Sequence, residues 1–343
     1  MNEMRAARFD RFGPPEVLYE GRAPVPVPTP DQVLVRVHAA SVNGGEVYFR
    51  AGRLPVPFGR RPKATGLDFA GEVVALGAAA AGRPGPRVGD RVWGGLPRRF
   101  GSAAEFVAVH PRQLALSPAG VDLVQAAALP GVGSTAIIAL RDKARLRPGE
   151  RLLVRGGSGG VGSAAVQLGH AFGAHVTALA SGRNLDFVRD LGADEVVDYR
   201  ATRPAELGRF DVVLDTVGTD LPAYRRLLAP GGRMVAIAFD INRILSSVGY
   251  LLASSAFGPR RARFFAGNPT HRLFADLTGY VESGAIRPIV DTVYPLAAVS
   301  YTHSRRCARQ DRPPRHRPAV GQRVSPTATR RGPRPNSARQ HPG

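Results

Sequence analysis

A glycine-rich segment in the middle of the chain has the residue types and the spacing that can bind a pyrophosphate group. Its members are Gly156, Gly157, Ser158, Gly159, Gly160, Val161 and Gly162. The pattern G-x-G-x-x-G within it follows an apolar run, Arg151 to Val154, that predicts a strand, and opens a predicted helix, Val161 to Ala171. One glycine permits the tight turn, the next lets the backbone approach the pyrophosphate, and the last lets helix and strand pack closely. The first N–H groups of the helix can then bind the phosphates.

The end of the next predicted strand, His175 to Ala180, indicates which dinucleotide would bind. A site for NAD places an Asp or Glu there to hold the ribose 2′-hydroxyl, whereas a site for NADP lacks the acid and supplies a cation. Here the strand ends in Ser181-Gly182-Arg183. Ser181 can hydrogen-bond a 2′-phosphate and Arg183 can pair with it through two N–H groups. The pattern therefore favours NADPH, and the alternative for Arg183 is a solvated surface arginine.

Strands and helices alternate from about Asp122 onward, which predicts a parallel sheet with helices on both faces. The predicted helices are Val124–Leu129, Ser134–Ala144, Val161–Ala171, Leu185–Leu191 and, after a less regular stretch, Pro269–Gly284. The predicted strands are Arg151–Val154, His175–Ala180, Glu195–Asp198, Asp211–Asp215 and Arg233–Ala238. Before Asp122 the chain has short strands separated by Gly and Pro, which favours a small, irregular β-barrel or sandwich.

Composition limits the class of protein. A length of 343 residues suits two domains, and 43% hydrophobic residues without an apolar run near 18 residues indicate no membrane span. The first ten residues lack the apolar region of a signal peptide, so we expect a cytoplasmic protein. One cysteine, Cys307, excludes an internal disulfide framework and a multi-cysteine zinc site.

The basic charge is concentrated near the C-terminus. Residues 301–343 hold 11 of the 47 Lys and Arg residues and one acid, and account for half of the formal net charge of +20. They also contain seven Pro and no Leu, Ile, Phe, Met or Trp, which predicts a disordered basic tail. Binding of nucleic acid through this tail is one alternative function. The rest of the chain mixes its charges, and we expect no specific nucleic-acid partner.

Further short motifs surround the glycine-rich segment, and together they carry a family resemblance. Leu129-Pro130 and Thr135-Ala136 precede the loop, and Leu191-Gly192-Ala193-Asp194 and Val197-Asp198-Tyr199 follow it. With the β-rich first third, this pattern resembles the medium-chain dehydrogenase/reductase superfamily, and within it the zinc-free quinone-oxidoreductase or zeta-crystallin-like branch. The resemblance covers nearly all of residues 1–299. It implies a GroES-like catalytic domain, a Rossmann domain, and a cleft between them where nicotinamide meets substrate.

Two segments differ from those of zinc-dependent relatives. Such relatives place a Cys after an N-terminal strand and Gly-His-Glu about 25 residues later. This chain has Ser41-Val42-Asn43-Gly44 at the first place and Gly66-Leu67-Asp68 at the second. Neither segment contains a Cys or a His, so we expect no metal site.

The resemblance also implies which residues line the cleft. Asn43 and Tyr48 match positions where the branch has its asparagine and aromatic, with Glu46 as the acid between them, although Gly44 replaces the usual proline. These two residues could orient a carbonyl oxygen, and Tyr48 or water could deliver a proton. A packing role for Tyr48 is the alternative. Residues that match cofactor contacts of the family are Thr135, Tyr199, Val217, Ala238 and Phe239.

These observations predict an α/β fold in four parts: a GroES-like catalytic domain at 1–122, a Rossmann NADPH-binding domain at 123–262, a return to the catalytic domain at 263–300, and the tail. The predicted function is hydride transfer from NADPH to a quinone or an α,β-unsaturated carbonyl, without zinc. Alternatives are a non-catalytic NADPH-binding regulator and a zinc-free alcohol dehydrogenase-like reductase of small carbonyls. Homodimers are common in the family, and a homodimer is a candidate assembly here.

The resemblance ends abruptly after Val293-Tyr294-Pro295-Leu296. Relatives continue there with a helix, Gly-Lys and an apolar terminal strand that completes the catalytic domain. The Arg- and Pro-rich tail stands in its place, so we hypothesise a reading-frame change near Val299 or Ser300 in a GC-rich gene. The alternative is a genuine disordered extension.

Overall fold

The computed structural model describes residues 2–53, 63–96, 99–240, 249, 262–265, 267–308 and 321–323. Sixteen strands lie in three sheets of these residues. Ten strands form the β-rich part: β1 (Glu3–Phe9), β2 (Tyr19–Pro24), β3 (Val33–Ala40), β4 (Lys63–Ala64), β5 (Asp68–Leu76), β6 (Arg91–Gly95), β7 (Phe106–Val109), β8 (Leu114–Leu116), β15 (Val293–Pro295) and β16 (Gly321–Arg323). The other six are β9 (Arg151–Arg155), β10 (His175–Ala180), β11 (Glu195–Asp198), β12 (Phe210–Asp215), β13 (Leu228–Ala236) and β14 (Ala262–Phe264).

Nine helices connect or cover these strands in the described ranges. They are α1 (Gly44–Arg50), α2 (Ala78–Ala81), α3 (Leu123–Ala126), α4 (Pro130–Ile137), α5 (Gly160–Ala171), α6 (Leu185–Arg189), α7 (Leu221–Arg225), α8 (His271–Glu282) and α9 (Val299–Ala308). A π-helical stretch, Ile138–Ala144, extends α4. Short 3₁₀ turns account for the remaining helical residues.

The β-rich part contains a seven-stranded sheet and a three-stranded sheet. The larger one has the order β15-β16-β3-β5-β6-β8, with β7 also paired to β3, and the smaller has the order β2-β1-β4. Along β3 the alternation of the sequence becomes an alternation of burial: Val33, Val35 and Val37 are buried, whereas Arg36 and His38 on the other face are half-buried. The predicted β-rich first domain is thus confirmed.

The second part is the predicted doubly wound Rossmann sheet. Its six strands have the order β11-β10-β9-β12-β13-β14, and all neighbours pair in parallel. The central strands are apolar on both faces because helices cover both; Leu152, Leu153 and Val154 of β9 are fully buried. The strands predicted at His175–Ala180 and Glu195–Asp198 have the predicted bounds.

One continuous hydrophobic core joins the two parts. It includes Ala39, Ala70 and Trp93 of the catalytic sheet, Ile137 of α4 and Leu152 of β9, together with Phe274 and Leu277 of α8. The indole Nε1 of Trp93 donates to Thr278 Oγ1 of α8 at 3.1 Å. α8 therefore packs against both the catalytic sheet and α4.

The C-terminal region differs from the predicted disordered tail at two places. Residues 301–308 continue α9, in which Thr302 and His303 are buried, and residues 321–323 form β16 between β15 and β3. The short β16 lies where we expected a terminal strand to be missing. Composition could not predict it because strand pairing uses backbone groups, which every non-proline residue has. Residues 309–320 and 324–343 of the predicted tail lie outside the described residues, and the frame change stays a prediction that resequencing the gene would test.

Within the described ranges, none of the helices combines the length and the apolar character needed to cross a membrane.

Candidate active site

Apart from Thr135 on α4, the residues predicted to bind the cofactor follow the carboxyl ends of five neighbouring parallel strands. The glycine-rich loop follows β9, Ser181 and Arg183 follow β10, and Tyr199 follows β11; Val217 follows β12, and Ala238 and Phe239 follow β13. In an open α/β sheet, ligands bind outside this edge. From β9 the chain continues to β10 and β11 on one side of the sheet, and it then crosses to β12 on the other side of β9. The strand order therefore reverses at β9, and the loop after β9 lies at the crevice that this reversal opens.

The backbone of the glycine loop forms a cradle, which side chains would fill if other residues replaced the glycines. Gly156 has a φ of +81°, in the left-handed region that favours glycine. A Cβ on Gly162 would lie 2.0 Å from the carbonyl oxygen of Gly156, and one on Gly157 would lie 3.0 Å from the Cβ of Ala178. Gly159 caps the 12-residue α5 without a side-chain hydrogen bond, so no side chain occupies the positive end of the helix. The segment fits a bound pyrophosphate.

The turn after β10 contains Ser181 and Arg183, the two residues predicted to bind a 2′-phosphate. Ser181 is buried, Arg183 is half-buried, and the backbone N–H of Tyr199 donates to Ala180 O at 3.1 Å, which brings the half-exposed Tyr199 beside the turn. Asn184 Nδ2 donates to Ser158 Oγ at 3.1 Å and links this turn to the glycine loop. Sequence reasoning missed Asn184 because only the tertiary fold brings it to Ser158.

The loop after β12 is held by a buried ion pair. Arg155 Nη1 contacts Asp215 Oδ2 at 2.6 Å, and the guanidinium lies 3.8 Å from the ring centroid of Tyr224. The other oxygen of Asp215 accepts hydrogen bonds from the backbone N–H groups of Val217 and Gly218, at 2.8 and 2.6 Å. The ion pair thus joins the strand before the glycine loop to the loop that carries Val217.

Gly218 brings two of the predicted cofactor-binding segments together. Its φ is +88°, and a Cβ there would lie 2.5 Å from the backbone nitrogen of Phe239. The backbone after β12 therefore touches the backbone after β13, and Val217 and Ala238 belong to neighbouring segments.

On the catalytic side, a network of buried polar groups surrounds Asn43. Its Nδ2 lies 3.1 Å from Ser41 Oγ, 3.2 Å from Glu46 Oε1 and 3.2 Å from Asp68 Oδ2. Since an amide nitrogen has two hydrogens, these three acceptors use its whole donor capacity. Asn43 therefore braces its own loop in this geometry, and its predicted contact with a substrate carbonyl stays a prediction.

Both carboxyl groups of this network are almost completely buried, each residue being 1% exposed. Glu46 also accepts from Thr65 Oγ1 at 2.8 Å and from the N–H of Gly66 at 2.7 Å. Burial raises the pKa of Asp68, and burial together with the nearby charge of Asp68 raises the pKa of Glu46; hydrogen bonds from their neighbours oppose both shifts. The sequence motifs contained both acids but gave no signal that they meet.

Tyr48 and Thr135 lie on the two helices that this network connects. Tyr48 lies on α1, two residues beyond Glu46, with 38% of its surface exposed. Thr135 is half-buried on α4 and donates through Oγ1 to Gly131 O at 2.7 Å, while the N–H of Gly131 donates to Asp68 Oδ2 at 3.0 Å. One buried carboxyl thus connects the helix that carries Thr135 to the loop that precedes Tyr48.

The two segments at which zinc-dependent relatives carry their Cys and Gly-His-Glu do not fit zinc here. They offer the hydroxyl of Ser41, the amide of Asn43 and the carboxyl of Asp68, all hydrogen-bonded to one another. Imidazole and thiolate ligands are absent from both segments. Over the described ranges, no group of three or more His, Cys, Asp or Glu residues is arranged to hold a metal ion.

Two family models and several known proteins match this chain. Residues 29–119 match the family model for the alcohol dehydrogenase GroES-like domain, and residues 191–306 match the model for zinc-binding dehydrogenase. A 2-methylene-furan-3-one reductase of Solanum lycopersicum is 33% identical over 307 residues, which cover 86% of this chain and 74% of the relative. A chloroplastic NADPH-dependent alkenal/one oxidoreductase of Arabidopsis thaliana is 34% identical over 305 residues, covering 86% and 73%.

A solved structure has the same fold. The quinone oxidoreductase of Coxiella burnetii superposes with a TM-score of 0.81 at 28% identity, covering 94% of this chain and all of that chain.

Proposed function

Because the chain belongs to the medium-chain dehydrogenase/reductase superfamily and is an NAD(P)H-dependent oxidoreductase, we propose that it uses NADPH to reduce the double bond of α,β-unsaturated carbonyl compounds. The two plant relatives described above support this acceptor class through their names. Quinones are the second candidate, favoured by the likeness to the Coxiella burnetii enzyme.

One observation carries the proposed use of NADPH: the turn after β10 offers Ser181 and Arg183 beside the glycine cradle and contains no acid. A ribose 2′-phosphate placed there would meet a hydroxyl and a cation. The acid beside this turn comes from the end of β11: Asp198 Oδ2 lies 2.6 Å from the place that a Cβ on Gly182 would take, and Asp198 Oδ1 accepts from the N–H of Arg200 at 2.9 Å. Thr135, Tyr199, Val217, Ala238 and Phe239 would line the remainder of the cofactor site.

The cofactor, when bound, supplies the hydride, and the chain's own residues prepare the acceptor. The half-exposed phenol of Tyr48 is the donor that would orient the carbonyl oxygen and hold the proton delivered to the reduced product. Asn43, held by Ser41, Glu46 and Asp68, would fix the loop that leads into the helix of Tyr48. No step in this scheme needs a metal, because polarisation of the carbonyl comes from a hydrogen-bond donor.

The proposed function is tested with the purified full chain by following NADPH oxidation with an enone, an enal, a quinone and a saturated aldehyde. We expect turnover with the enone or enal and a saturated carbonyl as product. Turnover with the saturated aldehyde alone would instead support an alcohol dehydrogenase-like reductase. Tight NADPH binding without turnover of any acceptor would support a non-catalytic, regulatory protein.

Replacing Arg183 with Ala should change the cofactor preference. We expect NADPH affinity to fall by about 1.5–3 kcal/mol, the range for a charge-assisted hydrogen bond, while NADH affinity stays nearly the same. Titration of both cofactors by intrinsic or cofactor fluorescence measures this. Arg189→Ala, which removes an exposed arginine of α6 paired with Asp186, is the matched control and should change neither affinity. Equal losses of NADPH and NADH in Arg183→Ala would contradict the assignment.

Activity should not depend on zinc. Metal analysis of protein purified without chelators should find less than stoichiometric zinc, and treatment with a chelator should leave turnover unchanged. The physical reason is the donor set of Ser41, Asn43 and Asp68, which is already satisfied internally. One tightly held zinc per chain, whose removal abolishes turnover, would refute this expectation.

A further inference from the structure

Among the residues that the structure describes, Ser41, Asn43 and Gly131 donate hydrogen bonds to the carboxyl of Asp68. Oδ1 accepts from the backbone N–H of Ser41 at 3.1 Å and from its hydroxyl at 2.8 Å. Oδ2 lies 2.9 Å from the same hydroxyl, 3.2 Å from Asn43 Nδ2 and 3.0 Å from the backbone N–H of Gly131. A carboxylate with these donors is held at both oxygens, so it cannot rotate without breaking several bonds.

The donors belong to two different parts of the molecule. Ser41 and Asn43 precede α1, the helix of Tyr48 in the catalytic part, whereas Gly131 is the second residue of α4, the helix of Thr135. Gly131 must be glycine for this approach, because a Cβ there would lie 2.5 Å from Asp68 Oδ2 and 3.1 Å from Asn43 Oδ1. Asp68 Oδ2 thus joins Asn43 of the loop before α1 to Gly131 of the helix that carries Thr135.

We propose that Asp68 is a positioning residue for hydride transfer, which fixes the loop Ser41–Asn43 and the following α1 against the first turn of α4. This inference rests on the proposed function, in which the acceptor is oriented from α1 and the nicotinamide lies beside α4. Asp68 touches neither reactant. Its effect is on the distance between them, and a misplacement of about 1 Å can cost on the order of 100-fold in rate.

A carboxyl group suits this task better than a neutral side chain. Asp68 serves four donor groups of three residues with two oxygens, whereas an amide at the same place would offer one acceptor oxygen and an N–H group facing another donor. Glu46 strengthens the arrangement from the other side, since it accepts from both the backbone N–H and Nδ2 of Asn43 at 3.0 and 3.2 Å. Asn43 is thereby held between two buried carboxyl groups.

The test compares Asp68→Ala, Asp68→Asn and Gly131→Ala with Ser102→Ala. Ser102 is the matched control, because its fully buried hydroxyl donates to the backbone oxygen of Asp68 at 2.7 Å and it does not contact the catalytic loop through that bond. The measurements are melting temperature, NADPH affinity, kcat and KM with an enone, and the kinetic isotope effect with NADPH deuterated at C4. Hydrogen exchange at the amides of Ser41 and Gly131 is followed in parallel.

We expect Asp68→Ala to lower kcat about 100-fold with little change in KM or NADPH affinity, and to raise the isotope effect because hydride transfer becomes rate-limiting. Gly131→Ala should act in the same direction, and Asp68→Asn should fall between wild type and Asp68→Ala. Ser102→Ala should lower the melting temperature and leave kcat and the isotope effect unchanged.

Three results would overturn the positioning role. One is a kcat and isotope effect in Asp68→Ala that match those of Ser102→Ala. Another, if Asp68→Ala does not fold, is wild-type kinetics in both Asp68→Asn and Gly131→Ala. The third is hydrogen exchange at the Gly131 amide that stays unchanged when Asp68 is replaced. This result can be obtained even if the wild-type protein reduces no acceptor, an outcome that would by itself refute the proposed function.

Discussion

Replacing Gly162 with Ala should weaken NADPH binding by roughly 10- to 100-fold, which corresponds to the 1–3 kcal/mol that overpacking costs. The added Cβ would lie 2.0 Å from Gly156 O, 2.8 Å from Gly156 C and 3.0 Å from Gly157 Cα. All three are backbone atoms, so no side chain can rotate away. The loop must move, and the N–H groups that would bind the pyrophosphate move with it. Isothermal titration with NADPH measures the loss.

Gly279→Ala is the matched control for this prediction. Gly279 lies inside α8 and an added Cβ would meet no atom within 4 Å. Alanine is the better helix former by about 0.5–1 kcal/mol, so we expect an unchanged or slightly higher melting temperature and unaltered NADPH affinity. NADPH affinity of Gly162→Ala equal to that of Gly279→Ala would show that the loop does not bind the cofactor.

Replacing Asp215 with Ala should destabilise the protein by about 3–5 kcal/mol, the cost of leaving a buried charge without its partner. Asp215 is fully buried and the side chain of Arg155 is 10% exposed. Two further acceptor contacts, to the N–H groups of Val217 and Gly218, are lost at the same time. Thermal unfolding of the variant should show a melting temperature lowered by about 10 °C, by the usual scaling for domains of this size.

Asp186→Ala provides the comparison. It removes the partner of Arg189 from an ion pair in which the two side chains are 95% and 58% exposed, and such pairs contribute little because water screens them. Its melting temperature should stay near the wild-type value. A shift in Asp215→Ala no larger than that in Asp186→Ala would contradict the importance of the buried pair. NADPH affinity should fall only in Asp215→Ala, since its loop carries Val217.

Features that depend on residues close together in the sequence could be predicted. One continuous segment contains the glycine spacing, the strand before it and the helix after it. To see that no acid directly follows β10, only the end of that strand had to be located. The alternation of Val33, Val35 and Val37 predicted a half-buried strand, and the structure has β3 there. Such patterns predict structure because the geometry of a strand or a helix fixes the spacing of its buried residues along the sequence.

Contacts between distant residues were not predictable in the same way. Asp68 and Gly131 are 63 positions apart, and Arg155 and Asp215 are 60 apart. No local sequence pattern indicates either pair. The order of the seven-stranded sheet and the insertion of β16 between β15 and β3 likewise depend on long-range pairing of backbone groups. The hydrogen bond from Asn43 to Asp68, 25 positions away, is of the same kind, and the predicted contact of Asn43 with a substrate carbonyl stays a prediction.

Hydride transfer to the conjugated double bond is tested most directly by the fate of deuterium from NADPH that carries deuterium at both C4 positions, with an α,β-unsaturated ketone as acceptor and the product analysed by NMR. We expect one deuterium on the β-carbon of a saturated ketone for each NADPH oxidised. Label on the carbonyl carbon of an allylic alcohol, or a product without label, would contradict hydride transfer to the conjugated double bond.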